Sequence, residues 1–167
     1  MLGYTSTINK EVLNDRLAKI RFLIGDFTVV AYSSIPSQGW FKTGNGFANF
    51  SMEDTFIKES VNITKDDGII VMDNTMGCDI EKDSYKMQTL DINSGVMDIY
   101  KGTVTNEILI FNNVDSGIKT KNQYGDWLTF KLIYKQLSLL ENELVIGCSK
   151  DNGKTWFPFL KNYYKRK

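Results

Sequence analysis

The sequence predicts an all-β fold, an antiparallel up-and-down barrel of about ten strands, with one α-helix ahead of it. Three observations lead there. Short runs rich in β-branched, aliphatic and aromatic residues recur from Asp26 to Tyr164. The links between most of them are hairpin-length and carry turn residues, as at Asn93-Ser94-Gly95, Thr105-Asn106-Glu107 and Asn152-Gly153. Helical periodicity appears once, before Gly25, so parallel strands would lack the crossovers they need. Closing the sheet on itself removes the exposed edges that an open meander would present.

The chain has 167 residues, 42% hydrophobic and 24% charged. That suits one globular domain over 1–167, with a helix at about 9–24 and a barrel at about 26–165. Twenty basic and twenty acidic residues leave no net charge, so no nucleic-acid partner is expected. The basic tail, Lys161 with Lys165-Arg166-Lys167, reads as a solvated terminus. No apolar run approaches the ~20 residues that span a bilayer. Lys10, Glu11, Asp15 and Arg16 interrupt the region where a signal peptide would need apolar residues. A cytoplasmic protein with no membrane partner is the expectation.

The chain contains no histidine. This excludes a histidine-dependent triad, a histidine-ligated haem and a histidine zinc site. Acid–base chemistry near neutral pH would need a carboxyl, lysine or tyrosine with a displaced pKa. Cys78 and Cys148 are far apart and read as reduced, small residues of the barrel wall.

In chain order, Asn9 is the expected helix N-cap and Glu11 suits the first turn. Leu13, Leu17, Ile20 and Ile24 recur at helical spacing, and Gly25 ends the helix. Strands are then expected at Asp26–Ser34, Gly44–Met52, Thr55–Thr64 and Ile69–Ile80, with Gly77 marking a bulge or tight bend. Further strands follow at Tyr85–Ile92, Val96–Val104 and Ile108–Asn113. After a polar loop at Asp115–Gly125, the run Trp127–Lys135 places Leu128, Phe130, Leu132 and Tyr134 on one face. Glu141-Asn142 reads as a turn into Leu144–Ser149, and Thr155–Tyr164 is the last strand.

The order of several short motifs resembles a bacterial family of lipocalin-like barrels in the calycin superfamily. This is a domain of unknown function, family fifteen seventy-nine, whose architecture is related to nitrobindin. The motifs are Leu23-Ile24-Gly25-Asp26-Phe27, Ile57-Lys58-Glu59, Gly77-Cys78-Asp79 with Tyr85, Gly102-Thr103, and the ending Tyr163-Tyr164-Lys165-Arg166-Lys167. Phe27 stands where the family has Trp, and Cys78 where it has Tyr. The resemblance implies a calycin-like barrel. Nitrobindin-like relatives hold haem through a histidine, which this chain lacks, so no cofactor is expected.

Ser149-Lys150-Asp151-Asn152-Gly153-Lys154-Thr155-Trp156 fits the Asp-box pattern of sialidase propellers. One copy in a chain this short reads as a turn device, since a propeller needs several blades. Asp66-Asp67, Asp79/Glu81/Asp83 and Asp151 lack EF-hand spacing, so they read as turn acids and not as a metal site.

Glu59 shares a strand face with Ile57, Val61 and Ile63. It is either an exposed or internally paired residue, or a lumen carboxylate with Lys131, Arg21 or a tyrosine as partner. The lumen candidates are Glu59, Tyr85, Tyr100, Trp127, Phe130 and Tyr134, with Phe56, Phe111 and Trp156 as further aromatics. Met72, Met76, Met87 and Met97 would make an adaptable wall. The leading expectation is a barrel that binds a small hydrophobic or amphipathic ligand. A cofactor-free isomerase or cyclase using a carboxylate and a tyrosine is the second, with no catalytic residue assigned. A packed barrel acting as a homodimer is the third.

Overall fold

The computed structural model describes residues 10–167; the expected N-cap Asn9 and the leader 1–8 lie outside the described residues. Helix α1 (Lys10–Ala18) leads through a 3-10 turn (Arg21–Leu23) into eleven strands. These are β1 (Gly25–Ile35), β2 (Gly39–Glu53), β3 (Phe56–Lys65), β4 (Gly68–Asp79), β5 (Ser84–Asp91), β6 (Val96–Thr105), β7 (Ile108–Asn112), β8 (Thr120–Lys121), β9 (Trp127–Gln136), β10 (Glu141–Ser149) and β11 (Phe157–Arg166).

Each strand from β1 to β7 pairs with the next, β7 pairs with β9, and β9, β10 and β11 follow in turn. The ring closes where β1 pairs with β11, Val29 opposite Tyr164. All pairings are antiparallel, and β8 touches only β9. The fold is therefore a closed ten-stranded antiparallel barrel with one helix ahead of it.

The α-helix is shorter than the apolar spacing predicts. Leu13 and Leu17 face the barrel, but Ile20 leaves the helical region at φ −114°, ψ 5°. The chain then drops into the 3-10 turn, which drives Ile20 and Leu23 fully into one end of the barrel. Gly25 starts β1 and does not cap the helix. Its φ of +145° suits glycine, and the Arg166 guanidinium occupies the space a Cβ would need. Arg166 donates to the Ile24 carbonyl (2.6 Å) and the Phe22 carbonyl (3.3 Å) and lies over the Phe27 ring. Arg16 donates to the Asp79 carbonyl (2.6 Å), and Tyr85 donates to the Arg16 carbonyl (3.0 Å). The basic ending is thus the final barrel strand and a latch, not a solvated tail.

Other expectations shift locally. Glu141-Asn142 lies within β10, and the turn falls at 137–140, where the Leu137 and Ser138 amides donate to the Glu141 carbonyl. Gly77 makes no bulge; the β4–β5 register runs unbroken through it, and the Phe56 ring packs where its Cβ would be, 2.8 Å away. The irregularities fall instead at Ala31/Tyr32 and Ile146/Gly147. Asn152-Gly153 turns as expected, both residues having positive φ. The Asp-box is such a turn device: the Thr155 amide and hydroxyl donate to Asp151, and the Ser149 hydroxyl does the same at 2.8 Å. Those bonds pull the Asp151 carboxyl down to about 2.

The half of the barrel under α1 is packed solid. Phe27, Phe50, Tyr164, Tyr134 and Phe111 meet edge to face with ring centroids 5.8–6.5 Å apart, a favoured aromatic geometry. Ile57, Met76, Met87 and Leu109 fill the spaces between them. On β2 the wall is closest at Gly46, where a Cβ would overlap the Asn62 carbonyl oxygen of β3. Gly46→Ala is expected to lower stability by about 2 kcal/mol, because backbone cannot yield as a side-chain tip does. Urea denaturation against the parent protein checks this.

Candidate functional site

Beyond the aromatic floor the barrel is hollow. A cavity of about 500 Å³ opens at the end opposite α1. Its mouth is formed by Lys65 and Ile69 at the β3–β4 turn, Asn93 and Ser94 at the β5–β6 turn, and Thr120 on β8. Lys65 pairs with Asp67 at 3.7 Å there. The wall is mostly apolar, with Val61, Ile63, Met72, Leu132, Leu144 and Ile146 among its members.

Glu59 sits at the bottom. Strict alternation along β3 points Ile57, Glu59, Val61 and Ile63 inward, and Glu59 is 2% exposed. Its Oε2 accepts from Asn74 Nδ2 (2.7 Å) and the Tyr134 hydroxyl (2.9 Å). Its Oε1 accepts from the Tyr164 hydroxyl at 3.3 Å, and Asn162 donates in turn to that hydroxyl. No ion pair to Glu59 occurs among the described residues. Of the partners expected for it, Lys131 lies outside against the Trp156 ring, and the tyrosine is present twice over, as Tyr134 and Tyr164.

Burial sets the electrostatics. Removing a carboxylate from water costs several kcal/mol, and hydrogen bonds to a charged group return roughly 1.5–3 kcal/mol each. Burial therefore lifts the Glu59 carboxyl from 4.5 to about 7, with Asn74, Tyr134 and Tyr164 pulling the other way. Burial, and then the Glu59 charge, hold Tyr134 and Tyr164 well above an ordinary phenol. Both keep their protons at neutral pH and remain donors.

A polar row climbs from this floor toward the mouth. Glu59 is the cross-strand partner of Asn74, Asn74 of Thr89, and Thr89 of Asp98. Asn113, just past β7, donates to Asp98 and accepts the Phe130 amide. Because barrel strands tilt against the axis, one such row gains height as it goes round. In its middle, Asn74 Oδ1 and Thr89 Oγ1 are buried with no partner, although both residues line the cavity.

Of the residues singled out from the sequence, Glu59, Tyr100, Phe130 and Tyr134 line the cavity. Tyr85 and Trp127 do not. Tyr85 is inward but at the α1 end, where its hydroxyl meets the Arg16 carbonyl; burial lifts it to about 12. Trp127 is 54% exposed, on the outer face of β9 beneath Lys121. Among the methionines Met72 lines the cavity, Met76 and Met87 are in the packed half, and Met97 is exposed. Tyr164, Asn74, Thr89 and Asp98 escaped sequence reasoning. For three of them the signal is parity: Asn74 alternates in phase with Met72 and Met76, Thr89 with Met87, and Asp98 with Tyr100.

No family model matches this chain, and no curated protein does. Among solved structures, a redesigned β-barrel, b11L5F_LGL, is similar over 89% of this chain and 95% of its own, at 12% identity and a TM-score of 0.47. EF1p2_mFAP2b bound to DFHBI is similar over 88% and 95% respectively, at 11% identity and a TM-score of 0.43. At those values neither likeness speaks to what this barrel holds. No helix among the described residues is long and apolar enough to cross a membrane.

The Glu59 shift carries a sign. Below pH 4.5 both folded and unfolded chains are protonated at this site; between 4.5 and about 7 only the unfolded chain ionises. Rising pH therefore favours unfolding across that window, by about 3 kcal/mol at 1.36 kcal/mol per pH unit. Glu59→Gln is expected to lose this slope and to exceed the parent in stability above about pH 7. Urea titrations of both proteins over that range measure the difference.

Proposed function

We propose that this chain is a calycin-like barrel that binds one small, mainly apolar molecule through the mouth opposite α1, resting its polar end near Glu59. The supporting observation is the cavity of about 500 Å³, which combines an apolar wall with a few convergent polar groups at its base. That combination is typical of small-molecule sites, whose volumes run roughly 300–1,000 Å³. The hollow half weighs against a barrel packed throughout that works only through its outer wall. A homodimer remains compatible with the lumen reading, since the mouth and the outer wall are separate surfaces.

One observation favours a second reading. A buried carboxyl titrating near 7 beside two protonated tyrosines is suited to moving a proton. On that reading the barrel is a cofactor-free isomerase or cyclase, with Glu59 taking the proton and Tyr134 or Tyr164 steadying the developing charge.

Prodan, a neutral naphthalene fluorophore, tests the shared premise. It is expected to brighten on entering the lumen of the parent protein. Val61→Trp, which projects an indole into the cavity, is expected to abolish that signal with little change in melting temperature. Equal binding by both proteins would place the dye elsewhere and remove the lumen reading. Native mass spectrometry of protein from its own host identifies the ligand, and NMR spectra of that ligand before and after incubation with the protein separate the two readings: an unchanged spectrum supports a carrier, and a rearranged product supports an enzyme.

A further inference from the structure

The inner wall is unbalanced in hydrogen bonding. Facing the cavity are three carboxyl side chains, Glu59, Asp98 and, at the rim, Asp91, together with the unpartnered carbonyl oxygen of Asn74. Thr89 adds a hydroxyl oxygen that also has no partner, and Asn74 and Thr89 are each only 7% exposed. Among the described residues lining the cavity, the one cationic side chain is Lys65, at the rim and engaged with Asp67. The donors at the floor, Asn74 Nδ2 and the Tyr134 and Tyr164 hydroxyls, are already spent on Glu59. Apart from the unpartnered hydroxyls of Thr43 and Thr89, which can donate or accept, what the wall leaves over is acceptor capacity and negative charge.

Buried polar atoms in folded proteins nearly all have partners, and an orphan is costly. Here two orphans adjoin on neighbouring strands, Asn74 opposite Thr89, with a carboxyl on either side of them in the same row. A group seated there meets acceptors from one side and the apolar wall of Leu132, Leu144 and Ile146 from the other. A carboxylate or phosphate would find one free donor in that row, the Thr89 hydroxyl, with no cation and a carboxyl group on either side. An ammonium would find several acceptors and two carboxyl groups.

We infer that the ligand is an organic amine: an apolar body carrying a protonated nitrogen that docks on the Glu59–Asn74–Thr89–Asp98 row. This rests on the lumen-binding reading and narrows it to one class of ligand. The nitrogen donates to Asn74 Oδ1 and Thr89 Oγ1, and its charge is offset by the flanking carboxyl groups. The row's rise toward the mouth offers the charge acceptors along its way in.

Three probes that share one ring system and differ in the polar group test it: naphthylmethylamine, naphthylmethanol and naphthoic acid, titrated by calorimetry at about pH 8. The amine is expected to bind about tenfold more tightly than the alcohol and at least about a hundredfold more tightly than the acid. In Glu59→Gln the amine's advantage over the alcohol is expected to shrink severalfold. Equal affinities, or the acid binding most tightly, would overturn the amine assignment while leaving the lumen as a binding site. Failure of all three to bind would overturn both. An amine preference unchanged in Glu59→Gln would remove the row from the account. The three-probe ranking in the parent protein stands whether or not the variant folds.

Discussion

Pairing of β1 with β11 is the constraint on which everything else depends. It turns a meander into a ring whose ten strands are each paired on both sides, leaving only the two-residue β8 with a free edge among the described residues. Each strand then has an inside and an outside, and a side chain on the inside either fills the lumen or faces it. The same two strands hold the segment that plugs one end. Arg166 of β11 reaches past Gly25 of β1 to the carbonyls of Phe22 and Ile24. Closure and plugging are therefore one construction, and the plug decides which end of the lumen opens.

Division of the lumen follows from side-chain size. Near the plug, five aromatic rings interlock with large aliphatic residues and leave no room. Toward the mouth the inward residues are smaller or set back, among them Ala31, Thr43 and Val61, and space remains. Glu59 lies at the boundary, and its surroundings explain its chemistry. It is too deep for water to solvate, and it is held by an amide and two phenols, with no cation. A salt bridge would have kept this carboxyl ionised. Neutral donors leave it poised near 7, ready to respond to whatever enters.

Much of this was legible in the residues. Turn dipeptides and period-two alternation were enough for the barrel, and alternation along β3 put Glu59 on the apolar face. Parity tells which face a side chain takes but not its depth. That is why Tyr85, although inward, lies under the helix and away from the cavity. Trp127 was separable, since it is out of phase with Leu128, Phe130 and Leu132. Tyr164 was hidden because β11 lacks clean alternation and its pairing with β10 slips at Ile146/Gly147. The helix was overextended because Ile20 and Leu23 keep an apolar rhythm across a break in backbone geometry.

The polar row has a consequence for how the strands find their alignment. A slip of two residues between β3 and β4 would keep every apolar face turned inward, so hydrophobicity alone scarcely opposes it. It would, however, set Glu59 opposite Met72 or Met76 in place of Asn74. The buried carboxyl would then lose its strongest neutral donor with nothing in exchange. Glu59 and Asn74 thus act as a vernier, marking the one alignment of these strands in which the carboxyl is solvated by protein.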